Sequence, residues 1–371
     1  MPHSDSPAPE SASFPDLPPS PALSSSSFCS SSSSSISPEQ QSQLDKNFTN
    51  MSPANSDEAI KRLTDDELKS FISDLRDHIR GSQKGHYQKC TRVIRISQGY
   101  VTKSYGENWG KDAIAGIELA RELGVRVPAI ERILEYNEID DKGFEIVQQY
   151  VPGKTLKELW TDLSLEETIR LAFQLRGMLR IMHQKTNDCI GSCYSLKCRT
   201  YYLESELGLP RACKAEEIGK VVNFWSNYEG LPKICWVKKS VEEHERACAI
   251  GPVSLDCPAV FTHHDLAPRN MIVDPKGDLW LVDWDYAGWY PAYFDRASMD
   301  HFMLQFGEWS SNDRLRWDIF CSIATESKWE EQAKAVNTML SWMACTSGNH
   351  RIPCVQAGVT LRDPQFSSRM E

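Results

Sequence analysis

Apolar positions recur along this chain in two rhythms, and the switch between them predicts its layout. Thr64, Asp65, Asp66 and Glu67 fit a helix capping box, and Leu68, Phe71, Ile72, Leu75 and Ile79 follow at helical spacing. Two β-type runs come next, TRVIRI at 91–96 and YVTKSY at 100–105, joined by Ser97-Gln98-Gly99. That spacing predicts a hairpin. A helix is expected from Ala113 to Leu123, stopped by Gly124, and a second hairpin pairs 130–136 with 144–150 around NEIDDKG. The unit reads ββαββ, a small and mostly antiparallel sheet with one helix.

After Tyr150-Val151-Pro152-Gly153 the rhythm turns helical. Ser164 to Glu167 form another capping box, and Ile169, Ala172, Phe173, Leu175, Met178, Leu179 and Met182 predict a long buried stripe. Helical patterns run to about 345, and no sustained period follows. Residues 1–57 are rich in Ser and Pro and offer few aliphatic side chains to offset ordering entropy. The expected organisation is a disordered tail at 1–57, a sheet-bearing N-lobe at 58–148, a helical C-lobe at 149–345 and a tail at 346–371. This is an α+β, two-lobed plan, and such plans place their site in the cleft.

Composition narrows the function. The 371 residues are 40% apolar and 25% charged, with a net charge of -10, which argues against a nucleic-acid binder. No run approaches the roughly 18 apolar residues of a transmembrane helix. The N-terminus lacks a secretory or transit pattern, its first Lys or Arg being Lys46, so the cytosol is expected. The twelve cysteines are scattered and read as reduced thiols. Cys189, Cys193 and Cys198, with His183 upstream, lack the paired spacing of a zinc site.

The candidate chemistry lies in FTHHDLAPRNMIVDPKGDLWLVDWD, from residue 261. A hairpin centred between Lys276 and Gly277 would set Asn270 opposite Asp283. An amide oxygen facing a carboxylate suits magnesium carrying phosphate oxygens. Asp265 lies five residues before Asn270, within reach of the same centre as a base. His263, Asp265, Asn270 and the strand-end Asp283 have the spacing of kinase-type phosphoryl transfer. Asp274 and Asp278 are turn formers, and His264 reads as structural or solvated.

The stretch FTHHDLAPRNMIVD…LVDWDYAGWYP resembles the aminoglycoside phosphotransferase-like family, relatives of choline kinase with a protein-kinase-like fold. DYAGWYPAYF and VQQYVPGKTLKELW resemble a branch common in fungi. The resemblance spans roughly 90–340. It implies Asp265 as catalytic base, Asn270 and Asp283 as magnesium ligands, and His263 as a brace of the loop. It also implies that Gln149 and Val151 offer backbone groups to the nucleotide base. Lys103 matches the strand lysine that contacts ATP phosphates; on YVTKSY it shares a face with Val101 and Tyr105, and a solvated strand lysine is the alternative.

Three positions depart from the pattern. The helix after Lys103 should carry a glutamate near Ala113, where only Asp112 and Glu118 are close. Ser97-Gln98-Gly99 has one glycine where protein kinases carry three. His264 stands where a small residue is usual, beside the base and able to narrow the acceptor site. Asp285, Asp295, Asp300 and Glu308 either line an acceptor site for an amine or form an exposed acidic face.

The leading expectation is an ATP- and magnesium-dependent phosphotransferase acting on a small hydroxyl or amino compound. A kinase-like nucleotide binder without turnover is the second. A hydrolase whose metal is held by His263, His264 and Asp265 is a weaker third.

Overall fold

The computed structural model describes residues 56–82, 92–138, 141–199, 211–226, 254–305 and 309–346, all within the unit spanning 34–371. The two expected tails lie outside the described residues up to 55 and from 347 onward. Among the described residues, no helix is long and apolar enough to cross a membrane.

Two helices open the described chain, α1 (Asp57–Arg62) and α2 (Asp65–Ser82). The expected box caps α2: Glu67 N–H donates to Thr64 Oγ1 at 3.3 Å, and Thr64 N–H donates back to Glu67 Oε2 at 2.8 Å. Strands β1 (Val93–Arg95) and β2 (Tyr100–Gly106) form the first hairpin, helix α3 (Glu107–Glu122) follows, and β3 (Ile130–Glu138) and β4 (Asp141–Gln149) form the second. All pairings are antiparallel, in the order β1-β2-β4-β3.

Strand alternation then sorts the two faces. Leu68 and Ile72 of α2 pack against Ile94, Ile96, Leu134 and Val147 on one face. Ala113 of α3 packs with Tyr105, Phe144 and Ile146 on the other. Burying such a side chain contributes about 1.5–3 kcal/mol.

Helix α3 begins six residues before the expected Ala113. The stretch Glu107–Asp112 is mostly polar and has little period. Gly110 nonetheless faces Phe144 so closely that an added Cβ would lie 2.4 Å from that ring. Close packing keeps the turn helical where local preference is weak.

After the connector come β5 (Lys154–Thr155), the single turn α4 (Leu156–Leu159) and α5 (Leu165–His183). The predicted stripe on α5 is corrected at two positions. Thr168, Leu171, Ala172, Leu175, Met178, Leu179 and Met182 are buried. Phe173 is 47% exposed and Ile169 is half-buried. The buried set holds a 3.6-residue period, which Phe173 breaks by facing outward under Arg176, 4.3 Å from its ring.

The chain continues through β6 (Thr186–Asn187), β7 (Gly191–Ser192), α6 (Ala215–Ser226) and β8 (Ala259–Thr262). Then come β9 (Met271–Val273), β10 (Leu279–Leu281), β11 (Gly288–Pro291), α7 (Tyr293–Gln305), α8 (Ser311–Ala324) and α9 (Glu330–Thr346). Two small sheets, β10-β9-β5 and β6-β8-β11-β7, sit among these helices. Phe261, Leu266, Met271, Leu281 and Trp284 share one core with α5 and with Trp317 and Phe320 of α8. A small antiparallel sheet and a larger, mainly helical part give the two-lobed α+β fold that the sequence predicts.

Candidate active site

Asp265 follows β8, and its neighbours lock the loop from both sides. His263 Nε2 lies 3.1 Å from the Val282 carbonyl, and Asp265 N–H donates to His263 Nδ1 at 3.3 Å. Both ring nitrogens are thus engaged, and the ring packs on Trp284 with centroids 4.5 Å apart. The next residue, His264, has φ +67, a left-handed conformation that favours glycine. A small residue is the expected occupant for that reason.

His264 is held there by its amide, which donates to Asp295 Oδ1 at 2.8 Å, and by aromatic contacts with Tyr290 and Phe294. The imidazole is fully buried on the core side, so it does not narrow an acceptor site. Burial lowers its pKa to about 3 and keeps it neutral. This geometry corrects the solvated reading of His264. It also gives no support to a metal held by the two histidines and Asp265, and no group of three His, Cys, Asp or Glu suited to a metal occurs among the described residues.

Asp265 is 1% exposed. Arg269 donates to both its oxygens at 3.1 Å, and Asn270 Nδ2 donates to its Oδ2 at 2.8 Å and its carbonyl at 2.9 Å. Burial pushes the Asp265 carboxyl up to about 7, against the pull of Arg269. A base poised near neutrality suits proton abstraction.

The hairpin register differs by one residue from expectation. Met271 pairs with Leu281 and Val273 with Leu279, so Val282, not Asp283, stands opposite Asn270; Val282 N–H donates to the Asn270 carbonyl at 3.0 Å. The cause is the turn. Pro275, Lys276 and Gly277 form a three-residue loop with Gly277 at φ +81, where a two-residue turn was assumed. Asp283, at φ +67, leaves the strand through a sharp left-handed turn.

Asp283 and Asp285 converge on Lys103. The lysine Nζ lies 2.6 Å from Asp283 Oδ1 and 2.7 Å from Asp285 Oδ1, and Tyr105 Oη donates to the same Asp285 oxygen at 2.9 Å. Its side chain is 13% exposed, so the solvated-lysine alternative fails. Burial opposes the charge on Asp283, but Lys103 above all holds that carboxyl down at about 2. Burial raises Asp285, and the negative charge of Asp283 adds to the effect.

Oxygen is the only donor type that Asn270 and Asp283 present to a cation. Asn270 spends its Nδ2 on Asp265, which leaves its amide oxygen, and the Asp283 carboxylate supplies the rest. That set fits a hard ion such as magnesium, which needs only one or two protein carboxylates beside phosphate oxygens.

Several expectations are corrected. Neither Asp112 nor Glu118 reaches Lys103. Asp112 accepts from Tyr194 N–H (3.0 Å), Ser195 N–H (2.7 Å) and Ser195 Oγ (2.8 Å) and pairs with Arg199 at 2.9 Å, while Glu118 is exposed. Ser97–Gly99 lies at the connector end of the sheet, where Tyr150 N–H donates to the Gly99 carbonyl at 2.7 Å. Four residues of extended strand, about 13 Å, separate it from Lys103. It is therefore not the loop that would cover phosphates; the other end of β1 leads toward 83–91, outside the described residues.

Asp285, Asp295 and Asp300 form neither a free acidic face nor an amine site. Asp295 binds His264 N–H and lies 2.9 Å from His183 Nε2, and Asp300 pairs with Arg296 at 2.8 Å. Glu308 lies outside the described residues. Sequence reasoning missed the holding role of Asp295, because a helical aspartate thirty residues from the loop carries no local signal.

At the connector, Gln149 N–H donates to the Ala129 carbonyl at 2.8 Å, so this N–H is already spent within the sheet. Val151 is 5% exposed, and its N–H has no hydrogen-bond partner among the described residues.

Comparison with curated proteins gives no match. Among solved structures, the GDP complex of aminoglycoside 2'-phosphotransferase-IIIa aligns at TM-score 0.45 and 12% identity, covering 81% of this chain and 95% of that one. Aminoglycoside-3'-phosphotransferase of type VIII aligns at 0.39 and 16%, covering 72% and 98%. Aminoglycoside phosphotransferase APH(3'')-Id from Streptomyces rimosus aligns at 0.41 and 13%, covering 74% and 99%. The family match is independent of these alignments: residues 114–316, more than half of the chain, match the model described as the phosphotransferase enzyme family. That span holds the whole loop from His263 to Asp285, and the chain belongs to the phosphotransferase enzyme family.

Proposed function

We propose that the protein transfers the γ-phosphoryl group of ATP, with magnesium, to a hydroxyl or amino group of a small molecule in the cytosol. One observation carries this reading: Lys103 from the sheet meets Asp283 at 2.6 Å, on the segment that follows the Asp265–Asn270 loop. A cation bound there would supply charge neutralisation to the phosphates. Asn270 and Asp283 would hold it. Lys103 has three N–H donors, enough to reach a phosphate oxygen as well as its carboxylates. Asp265 would take the acceptor's proton, and Arg269 and Asn270 fix the direction of its carboxylate. The Gln149 carbonyl and Val151 N–H would hold the nucleotide base. His263 would keep the loop and the strand end in register.

A second reading, a kinase-like binder with weak or no turnover, is favoured by the lack of a carboxylate from α3 beside Lys103. The resemblance to a branch common in fungi rests on DYAGWYPAYF and VQQYVPGKTLKELW, and the relation to choline kinase on FTHHDLAPRNMIVD…LVDWDYAGWYP.

Calorimetric titration with ATP, with and without magnesium, tests the proposal. Magnesium-dependent binding that Asp283→Ala abolishes is the expected result. Binding indifferent to magnesium favours the second reading, and failure to bind either ATP or GTP refutes both.

A further inference from the structure

We propose that Asp285, anchored by Tyr105, is the positioning residue for Lys103, in the place where a glutamate of α3 was expected. The proposal rests on the nucleotide reading above for what Lys103 contacts.

The carboxylates of α3 are accounted for. Asp112 is consumed by Tyr194, Ser195 and Arg199. Glu107 pairs with Lys111 at 2.9 Å, and Glu118 and Glu122 are exposed. The ammonium is held instead by two carboxylates of one segment, with Trp284 buried between them.

Those two carboxylates are not equivalent. Asp283 is the oxygen donor that a cation requires, so any cation there competes with Lys103 for it. Asp285 is not one of the two donors assigned to the cation above, and it has a second anchor in Tyr105. It is 3% exposed, and its Oδ1 takes the Lys103 ammonium at 2.7 Å and the Tyr105 hydroxyl at 2.9 Å. Tyr105 lies two residues along the same strand face, with Lys103 5.0 Å from its ring centroid. Strand β2 thus supplies both the lysine and the hydroxyl that orients the lysine's partner. With Asp283 engaged by a cation, Asp285 would still hold the ammonium, with N–H donors left over for a phosphate oxygen.

The test is a double-mutant cycle on the full chain, with Mg·ATP and adenosine as probes and thermal unfolding as the check on folding. Asp285→Asn is expected to weaken Mg·ATP binding by about tenfold, the scale of one charged hydrogen bond, and to leave adenosine binding unchanged. In a Lys103→Met background the same substitution should change Mg·ATP binding less than about twofold, because a residue acting through the lysine has nothing left to act on. A purely structural role predicts the opposite: equal losses for both probes, or additive losses in the cycle, and either overturns the proposal. If Asp285→Asn fails to fold, Tyr105→Phe carries the test, since it keeps the ring and removes only the anchoring hydroxyl. Its expected loss is about threefold for Mg·ATP and none for adenosine; equal losses overturn the proposal. Wild-type protein that does not bind Mg·ATP overturns the nucleotide reading itself, whereas binding with an additive cycle overturns only the role of Asp285.

Discussion

Two acidic centres, one at buried Asp112 and one formed by buried Asp265 and Asp285 with half-buried Asp283, differ in how their charge is held. Asp112 is fixed by two backbone N–H groups, a hydroxyl and the Arg199 guanidinium. Arg199 is pinned in turn, since its N–H donates to Tyr290 Oη, which donates to its carbonyl. The second centre is held mainly by side chains: Arg269 and Asn270 on Asp265, and Lys103 and Tyr105 on the other two. Backbone donors cannot leave without unfolding the loop, whereas long side chains can exchange partners. Burial of charge therefore does not mark a site by itself. What marks it is burial with partners able to let go.

The sharpest way to break this contrast is to neutralise one acid in each centre. Asp265→Asn is expected to cut turnover by roughly 10²- to 10⁴-fold, measured as phosphoryl transfer to whichever alcohol or amine serves as acceptor. Nucleotide affinity should barely change, whereas the thermal midpoint should fall, because the amide keeps the shape but leaves the Arg269 guanidinium without its carboxylate. Unchanged turnover would eliminate Asp265 as the base.

Asp112→Ala should act chiefly on stability. It strands Arg199 and two N–H groups in a buried place, at a cost of about 3–5 kcal/mol in urea unfolding. A loss under about 1 kcal/mol would mean that the clamp between α3 and the Tyr194–Arg199 loop is not structural.

The two centres also differed in how far the sequence disclosed them. The Asp265–Asn270 spacing was legible because it is local: a loop, a short turn and a strand fix those offsets. The one-residue error at Asp283 came from the turn, where Pro275-Lys276-Gly277 admits a three-residue loop as readily as a two-residue one. The Lys103 face was legible from alternation alone. Its partner was not, since Asp285 reaches Lys103 across 182 residues and no period links them. The saturation of Asp112 was equally hidden, because its donors are backbone groups of a loop some eighty residues away. Core rhythm on α5 was read correctly except at Ile169 and Phe173, where apolar character did not imply an inward direction.

The finest test lies at the border of the reactive centre, at His264, which precedes Asp265 yet packs against Tyr290 and Phe294. Its pKa, lowered by burial to about 3, sets the sign. Between that value and the roughly 6.5 of an unfolded histidine, the unfolded chain holds a proton that the folded one refuses. Stability should therefore rise with pH across that window, and fall as pH drops from 6.5 toward 3. His263, also lowered by burial, acts in the same direction. His264→Gly removes one of these protons and suits φ +67, at the expense of the ring's packing. The variant should be somewhat less stable at pH 7 and lose less on acidification, its slope between pH 6 and 4 shallower by about 1.4 kcal/mol per unit. Converging urea-unfolding curves would place the imidazole in the protected core, on the side of the backbone-held acids. Parallel curves would mean that it titrates freely in the folded protein and belongs to the reactive side of the border.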